Sequence, residues 1–183
     1  MINNFGLILA NTSRSRAYLA ALEKNLILPS RVILLDADSP ELIPGQFNLD
    51  IEVSALLDSD WPECSFDVSE PIIEVLNRLN LNYELATTND INDLKVISLI
   101  KNSNLSLYVY SGYGGVLLGK KILSTGKFFL HIHGGFLPDY KGSTTNYYSI
   151  LKERFIGASS IFLTSEIDSG PILVRKKFDV PLN

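Results

Sequence analysis

"FGLILANTSRSRAYLAALEKNLILPSRVILLDAD", residues 5–38, decides the fold class. "FGLILA" (5–10) is a short continuous apolar run, the pattern of a strand buried on both faces. "NTSRS" (11–15) supplies residues that cap helix N-termini, and "RAYLAALEKN" (16–25) reads as the helix. "RVILLDAD" (31–38) is a second buried strand. Two such strands joined by a helix form a β-α-β unit, whose strands run parallel.

The same alternation continues outward. "DVSEPIIEVLNRLN" (67–80) sets Val68, Ile72, Val75, Leu76 and Leu79 along one helical stripe. "YELATT" (83–88) is a strand and "INDLKVISLIKN" (91–102) an amphipathic helix. "LSLYVYSG" (105–112) is a strand and "VLLGKKILS" (116–124) a short helix. "KFFLHIHGG" (127–135) is a strand, and "STTNYYSILKER" (143–154) a helix capped by Ser143 or Thr144. "ASSIFLTSEID" (158–168) and "GPILVRKKFDV" (170–180) read as a strand pair. Residues 39–65, broken by prolines, read as an irregular excursion with one short helix. The expected fold is α/β: a mainly parallel twisted sheet with helices on both faces, as one domain over 1–183. In such sheets ligands sit beyond the C-terminal strand ends.

Composition narrows the function classes. Of 183 residues, 46% are hydrophobic and 20% charged, as in ordinary globular proteins. The net charge of -4 gives no broad basic surface for nucleic acid. No apolar run approaches the roughly 20 residues of a membrane span, and the N-terminus lacks a signal-peptide pattern. The single Cys64 cannot make an intrachain disulfide. These features fit a cytoplasmic protein; they give no oligomeric state.

Both histidines of the chain fall in "HIHGGFLPDYKG" (131–142). Alternation places His131 and His133 on the same face of a strand. Gly134 and Gly135 allow a sharp turn or a close approach to a ligand. Asp168 lies further on in "SEIDSGPIL" (165–173). A carboxylate brought to an imidazole is an acid–base pair. The same three side chains could also ligate zinc, as in metal-dependent hydrolases. Trp61, Tyr147 and Tyr148 read as packing residues.

The order "HIHGGFLPDYKG", then "DSGPIL", resembles the folate-dependent formyltransferase family, with glycinamide ribonucleotide, methionyl-tRNA and sugar amine N-formyltransferases. The resemblance implies 10-formyltetrahydrofolate as the one-carbon donor and a primary amine on a small molecule as acceptor, such as a nucleotide-linked amino sugar. It implies His131, His133 and Asp168 as catalytic residues. The segment Ser111, Gly112, Tyr113, Gly114, Gly115, Val116 and Leu117 corresponds to the one that binds the folate ring through its backbone. The loop Thr164, Ser165, Glu166 and Ile167 corresponds to the one that closes over it. Asn11, Ser13 and Arg14 fall in the family's first loop, which receives a phosphate in nucleotide-substrate members. Gly134, Gly135, Lys141 and Gly142 shape the acceptor side.

Three departures stand out. The family has Asn where this chain has His131; a neutral imidazole can still donate one N–H to the oxyanion, and His131 is expected in that role. Gly134-Gly135 replaces a more usual Pro-Ser. Many members continue beyond the region that ends here at Asn183, which points away from a methionyl-tRNA formyltransferase. Two alternatives stay open: a metal-dependent hydrolase using the same triad, and a folate-binding relative without turnover.

Overall fold

The computed structural model describes residues 4–35 and 66–180. The expected excursion at 39–65, with Trp61 and Cys64, lies outside the described residues. The chain divides into two compact units: Met1–Asp90 with Ser111–Gly114, and Ile91–Tyr110 with Gly115–Asn183.

The first unit is built on the β-α-β pattern. Strands β1 (Gly6–Leu9) and β2 (Arg31–Leu35) pair in parallel, and β2 pairs in parallel with β3 (Tyr83–Ala86). Leu7, Ile8 and Leu9 are wholly buried, as are Val32, Ile33 and Leu35. This is why both strands read as unbroken apolar runs: neither face meets water. Each such side chain contributes about 1.5–3 kcal/mol relative to leaving it exposed.

Helix α1 (Ser13–Lys24) starts at Ser13 rather than Arg16, because the Thr12 hydroxyl accepts the Ser15 N–H at 3.2 Å and fixes the N-terminus. Helix α2 (Ile72–Arg78) starts after Pro71, not at Asp67. A residue preceding proline is pushed out of the helical region, so the stripe cannot extend back to Val68, which is exposed.

The second unit contains helix α3 (Leu94–Lys101), strand β4 (Leu107–Ser111), the short helix α4 (Lys120–Leu123), strand β5 (Phe128–His133), helix α5 (Thr145–Glu153) and strands β6 (Phe155–Phe162) and β7 (Ile172–Asp179). β4 pairs with β5 in parallel; β5–β6 and β6–β7 are antiparallel. Its core is built on Ile91, Ile100, Tyr108, Ile122, Phe129, Leu137 and Ile161. The result is the expected α/β architecture, a mostly parallel sheet flanked by helices.

Three expectations are corrected. The strand pair exists, but β6 ends at Phe162 and residues 163–168 leave as a loop. Thr144 sits at the N-cap of α5, yet its hydroxyl donates to the Ser143 carbonyl at 2.7 Å and caps no helix N–H. Tyr147 and Tyr148 do not pack inside: they are 70% and 56% exposed.

Candidate functional site

His133 and Asp168 meet in the second unit at the end of β5, with His131 two residues earlier on the same strand. His133 is buried, and each ring nitrogen faces an acceptor. Nε2 lies 2.7 Å from the Tyr140 carbonyl and Nδ1 lies 3.4 Å from Asp168 Oδ2. A neutral imidazole carries one N–H and the imidazolium two, so only the charged ring satisfies both acceptors.

Asp168 is mostly buried, with 11% of its side chain exposed. It holds a left-handed backbone at φ 45° and accepts the Gly142 N–H at 2.8 Å. Gly142 itself is at φ +90°, a conformation that glycine adopts without penalty. Lys141 Nζ donates to Ser169 Oγ at 2.8 Å beside this contact. Lys141, Gly142 and Asp168 thus tie the 139–143 turn to the 166–169 loop.

His131 is half-buried, and its Nδ1 lies 3.0 Å from the Tyr110 carbonyl. A carbonyl only accepts, so Nδ1 carries the proton and the neutral ring keeps its lone pair on Nε2. In that tautomer the one N–H of a neutral His131 ring is directed to Tyr110.

The turn after His133 is held by residues that sequence reading missed. Ser159 on β6, almost wholly buried, donates to the Gly135 carbonyl at 2.7 Å and accepts the Leu137 N–H at 3.0 Å. Arg175 on β7 donates to the Leu137 carbonyl at 2.6 Å. Thr145 donates to the Gly134 carbonyl at 2.6 Å. The Tyr140 hydroxyl donates to Glu153, which pushes its pKa up to about 12. None of these contacts has a motif; several end on backbone carbonyls, which every residue carries.

The glycine-rich segment is divided between the units. In the first unit, Ser111 and Ser15 are both wholly buried and hydrogen-bonded at 2.9 Å through their hydroxyls. Arg14 donates to the Gly112 carbonyl. Asn11 accepts from Arg16 at 3.0 Å. Arg16 is buried, and desolvation lowers its pKa against the opposing pull of Asp67 and Glu70. Ser13 is exposed in the first turn of α1, Tyr113 is half-buried and Gly114 is exposed.

In the second unit, Gly115 is at φ +80° and Val116 is half-buried. Asn92 donates to the Leu117 carbonyl at 2.9 Å and accepts the Gly119 N–H at 2.6 Å. Thr164 Oγ1 accepts the Glu166 N–H at 3.4 Å, Ser165 and Glu166 are exposed, and Ile167 is 51% exposed.

The sequence model of the formyl transferase family matches residues 68–182, which include His131, His133 and Asp168. The chain belongs to the formyl transferase family. Within that family it is 31% identical over 110 residues to formyltetrahydrofolate deformylase 2, mitochondrial, of Arabidopsis thaliana, covering 56% of this chain and 31% of that protein. It is 31% identical over 101 residues to methionyl-tRNA formyltransferase of Finegoldia magna, covering 54% and 32%. The matched stretch is therefore about a third of the length of these relatives.

Phosphoribosylglycinamide formyltransferase from Streptococcus pneumoniae superposes over 100% of this chain and 85% of its own, with a TM-score of 0.65 at 12% identity. Phosphoribosylglycinamide formyltransferase from Bacillus halodurans superposes over 97% of this chain and 80% of its own, with a TM-score of 0.62 at 15% identity. The shared fold is the Rossmann-like fold of these formyltransferases.

The metal alternative gains no geometry. Among the described residues, no three His, Cys, Asp or Glu side chains come together in a group that could hold an ion. Among the same residues, no helix is long and apolar enough to cross a membrane.

Proposed function

We propose that this protein transfers a formyl group from 10-formyltetrahydrofolate to a primary amine of a small molecule, with His131, His133 and Asp168 as its catalytic residues. The observation that carries this reading is the buried His133–Asp168 contact at 3.4 Å, at the end of a strand in a formyl transferase chain. Leu117 and Ile167 are half exposed, an apolar surface that suits the flat ring of a reduced folate.

The folate supplies the formyl carbon and a leaving nitrogen. A bond forms from the acceptor nitrogen to that carbon, and the bond from carbon to the folate nitrogen breaks. One proton leaves the amine and one arrives on the folate nitrogen. His131, whose Nδ1 is directed to the Tyr110 carbonyl, accepts the amine proton. His133, held between Tyr140 and Asp168, stabilises the oxyanion electrostatically. Asp168 sets the ring plane.

A nucleotide-linked amino sugar is the acceptor we propose. A second reading has an observation of its own: similarity to two formyltetrahydrofolate deformylases favours water as the acceptor. Incubation with 10-formyltetrahydrofolate, with and without a panel of amino sugars and their nucleotides, separates them. Tetrahydrofolate release that needs an amine supports transfer. Release without any amine supports hydrolysis. Binding without release leaves a folate-binding protein.

A further inference from the structure

The bond between His133 Nε2 and the Tyr140 carbonyl exists in a space that one added carbon would fill. A Cβ built on Gly135 would lie 2.6 Å from His133 Nε2, 2.6 Å from the Tyr140 carbonyl oxygen and 2.6 Å from Thr145 Oγ1. Real side chains do not tolerate such distances, so any larger residue at 135 presses on both ends of the bond. Position 135 is also where the family pattern more usually has Ser. The carbonyl end is fixed as well. The Tyr140 hydroxyl reaches Glu153 Oε1 at 2.5 Å, its ring stands edge-on to Phe155 at 5.8 Å, and its N–H donates to Phe136 at 3.2 Å. Lys177 lies 3.7 Å from the other carboxylate oxygen of Glu153.

We propose that Tyr140 is a positioning residue for His133: its carbonyl, anchored through its hydroxyl on Glu153, clasps the imidazole in room that only glycine at 135 leaves. The clasp assigns Nε2 to the protein and turns Nδ1 to Asp168. Its consequence for turnover rests on the formyl-transfer reading; its existence does not.

Because the chain holds two histidines, His131→Asn leaves His133 as the one imidazole signal. Nitrogen–proton NMR of the full His131→Asn chain should show a slowly exchanging Nε2 proton on that ring. Adding Gly135→Ala should speed its exchange about tenfold or more, the scale of a hydrogen bond to a charged group, with circular dichroism unchanged. Adding Tyr140→Phe, which keeps the carbonyl and frees it from Glu153, should speed exchange about fivefold, the scale of a typical net hydrogen-bond contribution. With His131 present, Tyr140→Phe should lower kcat and leave KM unchanged.

Absence of a protected Nε2 proton in the parent, or its persistence in a folded Gly135→Ala chain, overturns the clasp. If Gly135→Ala does not fold, Tyr140→Phe decides, and an exchange rate equal to the parent's overturns it. Expected exchange rates without formyl turnover leave the clasp standing and remove the transfer reading.

Discussion

Asp168 accepts the Gly142 N–H while both residues hold left-handed backbones, at φ 45° and φ +90°. Two loops far apart in sequence therefore meet in conformations that most residues avoid. A non-glycine residue in this region costs roughly 1–2 kcal/mol, and Asp and Asn bear it better than others. Asp168→Asn is thus the mildest removal of the charge. The amide oxygen still accepts the Gly142 N–H, and the chain should fold normally by circular dichroism. Turnover should fall about 10²- to 10³-fold, the usual cost of losing electrostatic support of an oxyanion. A rate within about tenfold of wild type would remove Asp168 as the partner that orients His133.

Gly170 lies two residues beyond, at the start of the return into β7. A Cβ there would sit 1.7 Å from the Phe162 carbonyl oxygen. The contact is backbone on backbone, and the adjoining Phe162 N–H donates to the Pro171 carbonyl at 3.0 Å, so neither side can step aside. Gly170→Ala should destabilise the chain by about 3 kcal/mol. For a chain of this length that is roughly 10 °C in Tm, read by differential scanning calorimetry. A Tm unchanged by the substitution would show that the β6–β7 connection can rearrange.

Much of this architecture is legible in residue order. The runs around Leu7–Leu9 and Val32–Leu35 are apolar without alternation because both faces are buried. The pairing of His131 and His133 follows from strand period alone. Other features are decided by groups that carry no residue signature. The carbonyls of Tyr110 and Tyr140 orient the two histidine rings, and any residue could supply them. The end of β6 is set by the approach of Gly170, which no local pattern at 158–168 announces. The start of α2 was legible in Pro71, but the apolar stripe drew the boundary too early. Arg16, a charged residue in a polar-looking helix start, is buried because Glu70 and Asn11 receive it at 2.7 and 3.0 Å.

The Tyr140–Glu153 bond carries a pH dependence. The Tyr140 hydroxyl is raised from 10.0 to about 12, first by its bond to the Glu153 carboxylate and then by burial. The folded state therefore favours the protonated phenol more than the unfolded chain does. This contribution to stability is complete below pH 10 and is lost as pH rises through about 12. Glu153→Gln should move the ionisation of one tyrosine downward. The chain holds 8 tyrosines, so the measurement is the difference in tyrosinate absorbance between the two proteins. Superimposable titrations would show that the bond does not persist in solution.

His131 is where this chain leaves the family pattern, and its geometry makes a directional prediction. Tyr110 holds Nδ1 protonated at 3.0 Å, so the neutral ring has its lone pair on Nε2. A base at this position works when neutral and stops when it gains a proton. The rate should therefore fall on the acid side of the pH profile. His131→Asn replaces the base by an amide that does not titrate and restores the family residue. Turnover should survive within about a hundredfold, the lower share of acid–base catalysis, and the acid limb owed to His131 should flatten. His133→Asn should abolish turnover, since an amide cannot take the place of the imidazole held between Tyr140 and Asp168. Chelator should leave wild type unaffected, because the three side chains do not gather as a ligand group among the described residues. The opposite set decides the matter the other way. If His131→Asn is inactive, chelator inactivates wild type and zinc restores it, the triad is a metal site and the base assigned to His131 is wrong.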